Sequence, residues 1–232
     1  MGWSGDQSYF ITGTDTDVGK TVVAVGLLDA ARRAGLRSIG LKPVAAGRDG
    51  ERDGVPCNAD ALALLDAATV KLDYAAVNPV LLERPMAPHL AAEIDGVRIE
   101  ATELAQQCRA AVAQPVDIVV VEGAGGWLVP LNQRETMADL VAELRMPVVL
   151  VVGMRLGCLN HALLTAADIR ARGLTLAGWV ANCIDPDMAG LQDNIESLRA
   201  RLDAPLLGRV RHLGRGEDAA ADLDLNRLLR HD

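Results

Sequence analysis

The sequence predicts a single α/β domain over residues 1–232: a doubly wound, mainly parallel sheet with helices on both faces. Three observations point there. Short apolar runs alternate with helical patterns along the whole chain. Runs such as 118–121 and 148–152 are too uniformly apolar to leave one side in water, so both faces must be covered. Half of the 232 residues are hydrophobic but only 3% are aromatic, so the apolar content is Ala, Val and Leu, which suits parallel strands packed between helices. A chain of this length buries a sizeable core.

In order, Tyr9, Phe10 and Ile11 form the first strand. A helix over 20–34 puts Val22, Val23, Leu27, Leu28 and Ala31 on one side and stops at Gly35. Residues 38–41 read as a strand running into Lys42-Pro43, and the proline biases Lys42 toward extended geometry at the strand's end. A polar loop follows over 47–55. Asn58 is placed to cap a helix bearing Leu62, Leu64 and Leu65, with Asp60 in its first turn. The Pro-rich stretch 73–98 predicts one short strand at 80–82 and otherwise irregular chain.

Leu104, Cys108 and Val112 mark a helix over 100–113. A buried strand over 117–121 then ends in Glu122-Gly123-Ala124-Gly125-Gly126. Thr136 and Asp139 have capping-box spacing. Beyond them come a strand at 148–152, a helix from Gly157 to near Gly173, and a strand at 176–181 ending at Asn182. Leu191, Ile195, Leu198 and Leu202 mark a further helix, before a short strand at 206–208 and a C-terminal helix at 222–230.

A net charge of −8 argues against a nucleic-acid surface, and Arg209, Arg211 and Arg215 read as a solvated face. Cys57, Cys108, Cys158 and Cys183 lie far apart with no C-x-x-C pair, which fits buried thiols better than metal ligation or disulfides. Residues 1–8 lack the apolar core of a signal peptide, and no apolar run is long enough to cross a bilayer. The expectation is a cytoplasmic protein with no membrane or nucleic-acid partner.

Ligands of such sheets bind beyond the carboxyl ends of the strands. Chemistry is therefore sought at 13–21, Lys42, Glu122 and Asn182. Residues 13–21 read Gly-Thr-Asp-Thr-Asp-Val-Gly-Lys-Thr between a strand and a helix. A Gly-rich loop closed by Gly19, Lys20 and Thr21 holds a polyphosphate: backbone N–H groups and a helix N-terminus face the anion, Lys20 adds a charge, and the Thr21 hydroxyl reaches a metal ion. Five residues separate Gly13 from Gly19, one more than in the standard motif.

Glu122, at the end of a buried strand and before glycines that admit close approach, is the acid that nucleotide-bound Mg²⁺ needs. Asp60 read alone serves its helix dipole. Lys42 is either a solvated charge or a second cation for phosphoryl transfer. Asn182 either meets a nucleobase edge or caps a loop. His89 and His161 read as structural or exposed, with His161 an orienting or capping group. No Ser sits in a G-x-S-x-G elbow, so a Ser-His-Asp site is excluded. The residues alone give a Mg²⁺-requiring, ATP- or GTP-dependent protein.

Several motifs occur in one order: the loop from Thr12 to Thr21 with its extra residue, Gly40-Leu41-Lys42-Pro43-Val44-Ala45 and Asn58-Ala59-Asp60-Ala61-Leu62. Pro88-His89, Val121-Glu122-Gly123-Ala124-Gly125-Gly126-Trp127, Gly157-Cys158-Leu159-Asn160-His161 and Gly178-Trp179-Val180-Ala181-Asn182 follow. Together they resemble the dethiobiotin synthetase family. The resemblance implies a P-loop NTPase-like fold and a homodimeric ligase that makes dethiobiotin from 7,8-diaminopelargonate, CO₂ or bicarbonate, and ATP. It implies that Thr21, Asp60 and Glu122 hold Mg²⁺, and that Asp17, Val18, Gly19, Lys20, Thr21 and Val22 wrap the phosphates. Glu122, Gly123, Ala124 and Gly125 would line the nucleotide site, with Asn182 and Leu213 at the adenine. Lys42, Lys20 and Thr16 would face the carbamate and the transferring phosphoryl group. Gly157, Cys158, Leu159 and Asn160 would bind the substrate carboxylate across the dimer interface. Ala46 stands where the family commonly has a hydroxyl residue. Arg211-His212 replaces part of a Pro-containing stretch beside the adenine pocket, where only Leu213 matches.

Two other readings use a related loop. A partition-type ATPase usually carries an additional lysine early in the loop, and here only Gly, Thr, Asp and Val precede Gly19-Lys20. An amidoligase of cobalamin precursor synthesis calls for a glutaminase domain, which the sequence does not offer.

Overall fold

The computed structural model describes residues 7–214 and 217–229. Arg215, residues 1–6 of the polar N-terminal stretch and residue 230 of the expected last helix lie outside them. Six strands form the main sheet: β1 (Ser8–Gly13), β2 (Ser38–Leu41), β7 (Ile118–Glu122), β8 (Val148–Gly153), β9 (Leu176–Asn182) and β10 (Leu206–Val210), in the order β10-β9-β8-β1-β7-β2. Every pairing in it is parallel.

Alternation along the strands sorts the core into two layers, because successive side chains of a strand face opposite ways. Val148, Leu150 and Val152 of β8 join Phe10, Val119 and Val121 in one cluster. That cluster packs on α5 (Ala101–Ala111), α6 (Met137–Leu144), α7 (Cys158–Ala171) and α8 (Leu191–Arg199). Val149 and Val151 face the other way with Tyr9, Ile11 and Val120, against α1 (Lys20–Arg33), part of α2 (Ala59–Ala67) and α9 (Leu225–Leu229). The doubly wound expectation holds on both faces. All four cysteines are buried and free, and burial pushes the Cys108 thiol up to about 12. Among the described residues no helix is long and apolar enough to cross a membrane.

Three local expectations need correction, and one small sheet was not foreseen. The polar loop over 47–55 contains a hairpin of β4 (Gly50–Arg52) and β5 (Val55–Cys57). Asp53 (φ 53°) and Gly54 (φ 78°) make its two-residue turn, both in the left-handed region that a primed hairpin turn requires. The stretch 73–98 holds α3 (Tyr74–Val77) and α4 (Pro88–Asp95) beside β6 (Val80–Leu82). Pro88 opens α4 instead of breaking it, since the first helical residue needs no N–H, and Ala91 and Ala92 are buried beneath. β3 (Val44–Ala46) pairs with β6 as a small second parallel sheet. The last helix begins at Leu225, after a 3-10 turn at Ala220–Asp222.

β1 is the switch point of the main sheet. The chain leaves it for β2 at one edge, returns to fill β7 between them, then crosses to β8, β9 and β10. The crevice for a ligand therefore opens at the carboxyl end of β1.

Candidate active site

The loop after β1 lies at that crevice. Thr14 N–H donates to the Val151 carbonyl (3.0 Å), which fixes the loop's departure beside β8. The chain then turns through Asp17 (φ 57°) and Gly19 (φ 87°) and enters α1 at Lys20. A side chain at Gly19 is excluded twice, by its left-handed backbone and because a Cβ would lie 2.0 Å from Asn182 Nδ2. Asn182, at the end of β9, donates from Nδ2 to the Val18 carbonyl (2.8 Å) and so buttresses the loop from behind. Lys20 Nζ folds back onto the Asp15 carbonyl (3.2 Å). The first-turn N–H groups of α1 have no intrahelical acceptor, and the positive end of the helix faces the loop's concavity.

Sheet register builds the second half of the site. β2 and β7 pair with Leu41 opposite Val121, so Lys42 and Glu122 are next to each other as the strands end. Lys42 Nζ lies 2.7 Å from Glu122 Oε1 and 3.2 Å from Asp60 Oδ2. Thr21 Oγ1, from the first turn of α1, donates to the same Glu122 oxygen at 2.8 Å. The side chains of Glu122 and Lys42 are 1% and 5% exposed, whereas that of Asp60 is 46% exposed. Glu122 Oε2 is buried without a hydrogen-bond partner among the described residues. The Lys42 backbone is tied down by its own N–H to Val77 O (2.9 Å) and by Asn78 Nδ2 to its carbonyl (2.7 Å).

Burial alone would lower the affinity of Lys42 for its proton. The charges and hydrogen bonds of Glu122 and Asp60 outweigh it and hold the amine above the ordinary lysine value. Lys20 goes the other way: desolvation, with Lys42 adding repulsion, holds it below that value against the pull of Glu122 and Asp60. Two buried cations of opposite tendency thus flank one buried carboxylate.

The Gly-rich loop after Glu122 packs on the phosphate loop. A Cβ on Gly125 (φ 65°) would lie 2.6 Å from Val129 Cγ2 and 3.7 Å from Thr16 Oγ1. Trp127 anchors the loop's far end, donating from Nε1 to Asp168 Oδ2 (2.7 Å). Arg172 bridges Asp168 to Asp139, which closes the predicted capping box of α6 with Thr136. A cleft of about 490 Å³ runs from Thr14 and Thr16 past Trp127 and Leu128 to His161 and Leu164.

Of the residues expected from sequence, Thr21, Lys42, Asp60 and Glu122 are in one cluster, with Lys20 close enough to feel the charges of the last three. Asp17, Val18 and Gly19 form the loop beside it, and Val22 is partly exposed at the start of α1. Asn182 touches the loop's backbone. Leu213 is half-buried against the core layer that contains Val18. Gly157 (φ 95°) is the N-cap of α7, followed by buried Cys158. His161 lies past that cap, exposed along the cleft, and does not cap the helix. His89 is elsewhere, in a second cleft of about 660 Å³ with Arg98 and Arg134. Sequence reasoning missed Arg155, which pairs with the Asp15 carboxylate and ties the chain before α7 to the phosphate loop. No motif singles out a lone arginine.

A polyphosphate loop at the switch point of a parallel sheet, faced by a buried acid at the next strand's end, defines a P-loop NTPase-like nucleotide-binding protein. Solved structures agree on the fold. The septum site-determining protein MinD of Pyrococcus horikoshii, complexed with Mg-ADP, superposes with a TM-score of 0.59 over 96% of this chain and 94% of that one. At 16% identity the likeness concerns the fold alone. A family model described as an AAA domain matches residues 7–217. The ATP-dependent dethiobiotin synthetase BioD of Cellvibrio japonicus is 55% identical over 225 residues, 96% of this chain and 98% of that protein. The same-named protein of Pseudomonas aeruginosa strain UCBPP-PA14 is 51% identical over 223 residues, 95% and 97% of the two chains. The chain belongs to the ATP-dependent dethiobiotin synthetase family.

Proposed function

We propose that this protein makes dethiobiotin from 7,8-diaminopelargonate, CO₂ and ATP, as a cytoplasmic homodimer. One substrate amine attacks CO₂ and loses a proton, giving a carbamate. A carbamate oxygen attacks the γ-phosphorus and ADP leaves. The second amine attacks the carbamoyl carbon, phosphate leaves with its bonding electrons, and loss of a proton completes the ureido ring. The observation that carries the reading is the meeting of Thr21, Lys42 and Asp60 around Glu122 beside a phosphate loop, in a chain of this family.

Every negatively charged species on this path needs a cation, and Lys42 and Lys20 supply two in a water-poor setting where such charge counts most. Lys42, held firmly protonated, suits the carbamate and the transferring phosphoryl group. Lys20 suits the phosphates, which would restore the proton affinity that burial removes. Thr16, beside the cleft, presents its hydroxyl to the carbamate. Asp17, Val18, Gly19 and Val22 complete the phosphate cradle, and Asn182 and Leu213 border the adenine. Carbamate formation needs a neutral amine more than a strong enzymic base, so a catalytic histidine is not required.

The donor set fits Mg²⁺: the Thr21 hydroxyl and the carboxylates of Asp60 and Glu122 are hard oxygens, and Glu122 keeps one buried oxygen without a partner. An ion held there would supply positive charge to the phosphates. Gly157, Cys158, Leu159 and Asn160 at the α7 N-terminus bind the substrate carboxylate of the partner's site. The test is ATP, Mg²⁺, diaminopelargonate and bicarbonate with mass detection of dethiobiotin. ADP release should need both diaminopelargonate and bicarbonate, and brisk ATP hydrolysis indifferent to both would sink the proposal.

A further inference from the structure

The three groups assigned to the metal are already engaged by the chain itself. Thr21 donates to Glu122 Oε1, Lys42 donates to the same oxygen, and Lys42 also pairs with Asp60. We propose that Lys42 is a specificity-determining residue that keeps a lone divalent cation out of Thr21, Asp60 and Glu122, so that metal enters only together with nucleotide. The inference rests on the metal-ligand assignment made under the proposed function.

The reason is charge balance in a buried place. Lys42 already pairs with both Asp60 and Glu122, and Lys20 lies close enough to feel both carboxylates, so two cations face the acids before any metal arrives. A divalent ion arriving alone can reach Glu122 Oε2, which has no partner among the described residues. It then lies against a nearly buried ammonium bonded to Oε1 of the same carboxylate and to Asp60, and is repelled unless it pushes that ammonium off. Glu122 is fully buried and Asp60 is the only other acid in contact with Lys42 among the described residues, so the displaced ammonium has no second carboxylate to go to. Leaving a buried charge unpaired is costly. A metal–nucleotide complex brings phosphate oxygens that accept Lys42 as the metal takes its carboxylates. The Lys42 backbone is fixed to Val77 and Asn78, so the exchange needs only side-chain rotation, within reach of the phosphoryl group that the loop cradles. The same pairing then places Lys42 for catalysis only once the nucleotide is loaded.

Mn²⁺, followed by the paramagnetic resonance signal of the free ion, is the probe, with wild type and Lys42→Met compared in the absence and presence of ADP. Wild type should take up Mn²⁺ only with ADP present. Lys42→Met should bind Mn²⁺ alone about tenfold or more tightly than wild type does, because the competing charge is gone. Equal binding of Mn²⁺ alone by the two proteins overturns the proposal. If Lys42→Met does not fold, reductive methylation of wild-type lysines, mapped by mass spectrometry, decides instead. Labelling of Lys42 should be unchanged by Mg²⁺ alone and altered by Mg²⁺ with ADP, and a change on Mg²⁺ alone is the contrary result. A failure of the parent reading shows separately, as absence of dethiobiotin from the full substrate mixture.

Discussion

Glu122 is where three distant parts of the chain converge: the first turn of α1, the end of β2 and, through Lys42, the first turn of α2. Removing Lys42 leaves that carboxylate buried with Thr21 as its one partner among the described residues, and takes away the cation proposed for the carbamate and the transferring phosphoryl group. Lys42→Ala should lower kcat by about 10²-fold or more while the circular dichroism spectrum stays that of a folded protein. Its charge also has a pH signature. A lysine held above its ordinary value binds its proton more tightly folded than unfolded, so its stabilisation is complete below the unfolded value of 10.5 and fades as pH rises through the higher folded value. Denaturant titrations of wild type and Lys42→Ala should converge in that alkaline window. Gly19 carries a second residue-scale prediction. Gly19→Ala forces a Cβ onto Asn182 in a left-handed backbone, and ADP affinity should fall by about tenfold or more in calorimetry. At this scale Lys20, Thr21 and Glu122 were legible, because each sits in a local pattern with its own physical meaning. Asp60 was legible as a metal ligand only through the family resemblance. From spacing it is a helix-dipole acid, and only the fold brings it to Lys42.

Elements differed in legibility for the same kind of reason. β1, β7, β8 and β9 are buried along their whole lengths, and the apolar runs within them stand out in the sequence. β4 and β5 are three residues each, with Cys57 their one buried residue, so no apolar rhythm marks them, and their Asp-Gly turn was the one available signal. α4 was hidden by Pro88, whose meaning depends on whether a helix starts or continues there. The capping box of α6 was readable from Thr136 and Asp139, but not its coupling to α7 through Arg172. Burial alone would raise the Asp139 carboxyl. The Thr136 N–H and hydroxyl, with Arg172, outweigh it and hold the group below its ordinary 3.8. Its stabilisation is therefore present above that value and lost as pH falls through the lower folded one. Asp139→Ala should cost about 1 kcal/mol at neutral pH, with the gap to wild type closing in acid denaturation curves.

At the scale of the whole molecule, alternation of apolar strands with helices gave the doubly wound sheet, but strand order came only from pairing. Placing β7 between β1 and β2 is what sets Lys42 beside Glu122, 80 residues away in sequence. The same arrangement puts β8 next to β1, so the Gly157 segment leaves the sheet beside the phosphate loop, with Arg155 paired to Asp15 between them. Leu156, 96% exposed, and Leu128 and Leu164 along the cleft lie in this region and suit contact with a second copy. If Gly157 to Asn160 serve the partner's site, each site needs one intact Lys42 and, from the other subunit, one intact α7 N-terminus. Lys42→Ala and Asn160→Ala are each defective for different halves of that site. A mixed dimer then contains one site with both defects and one with neither, and random reassembly makes half of all dimers mixed. Equal mixtures, unfolded and refolded together, should recover roughly a quarter of wild-type turnover at low diaminopelargonate. Activity no higher than the mean of the two parents would place the Gly157 segment and Lys42 in the same subunit's site.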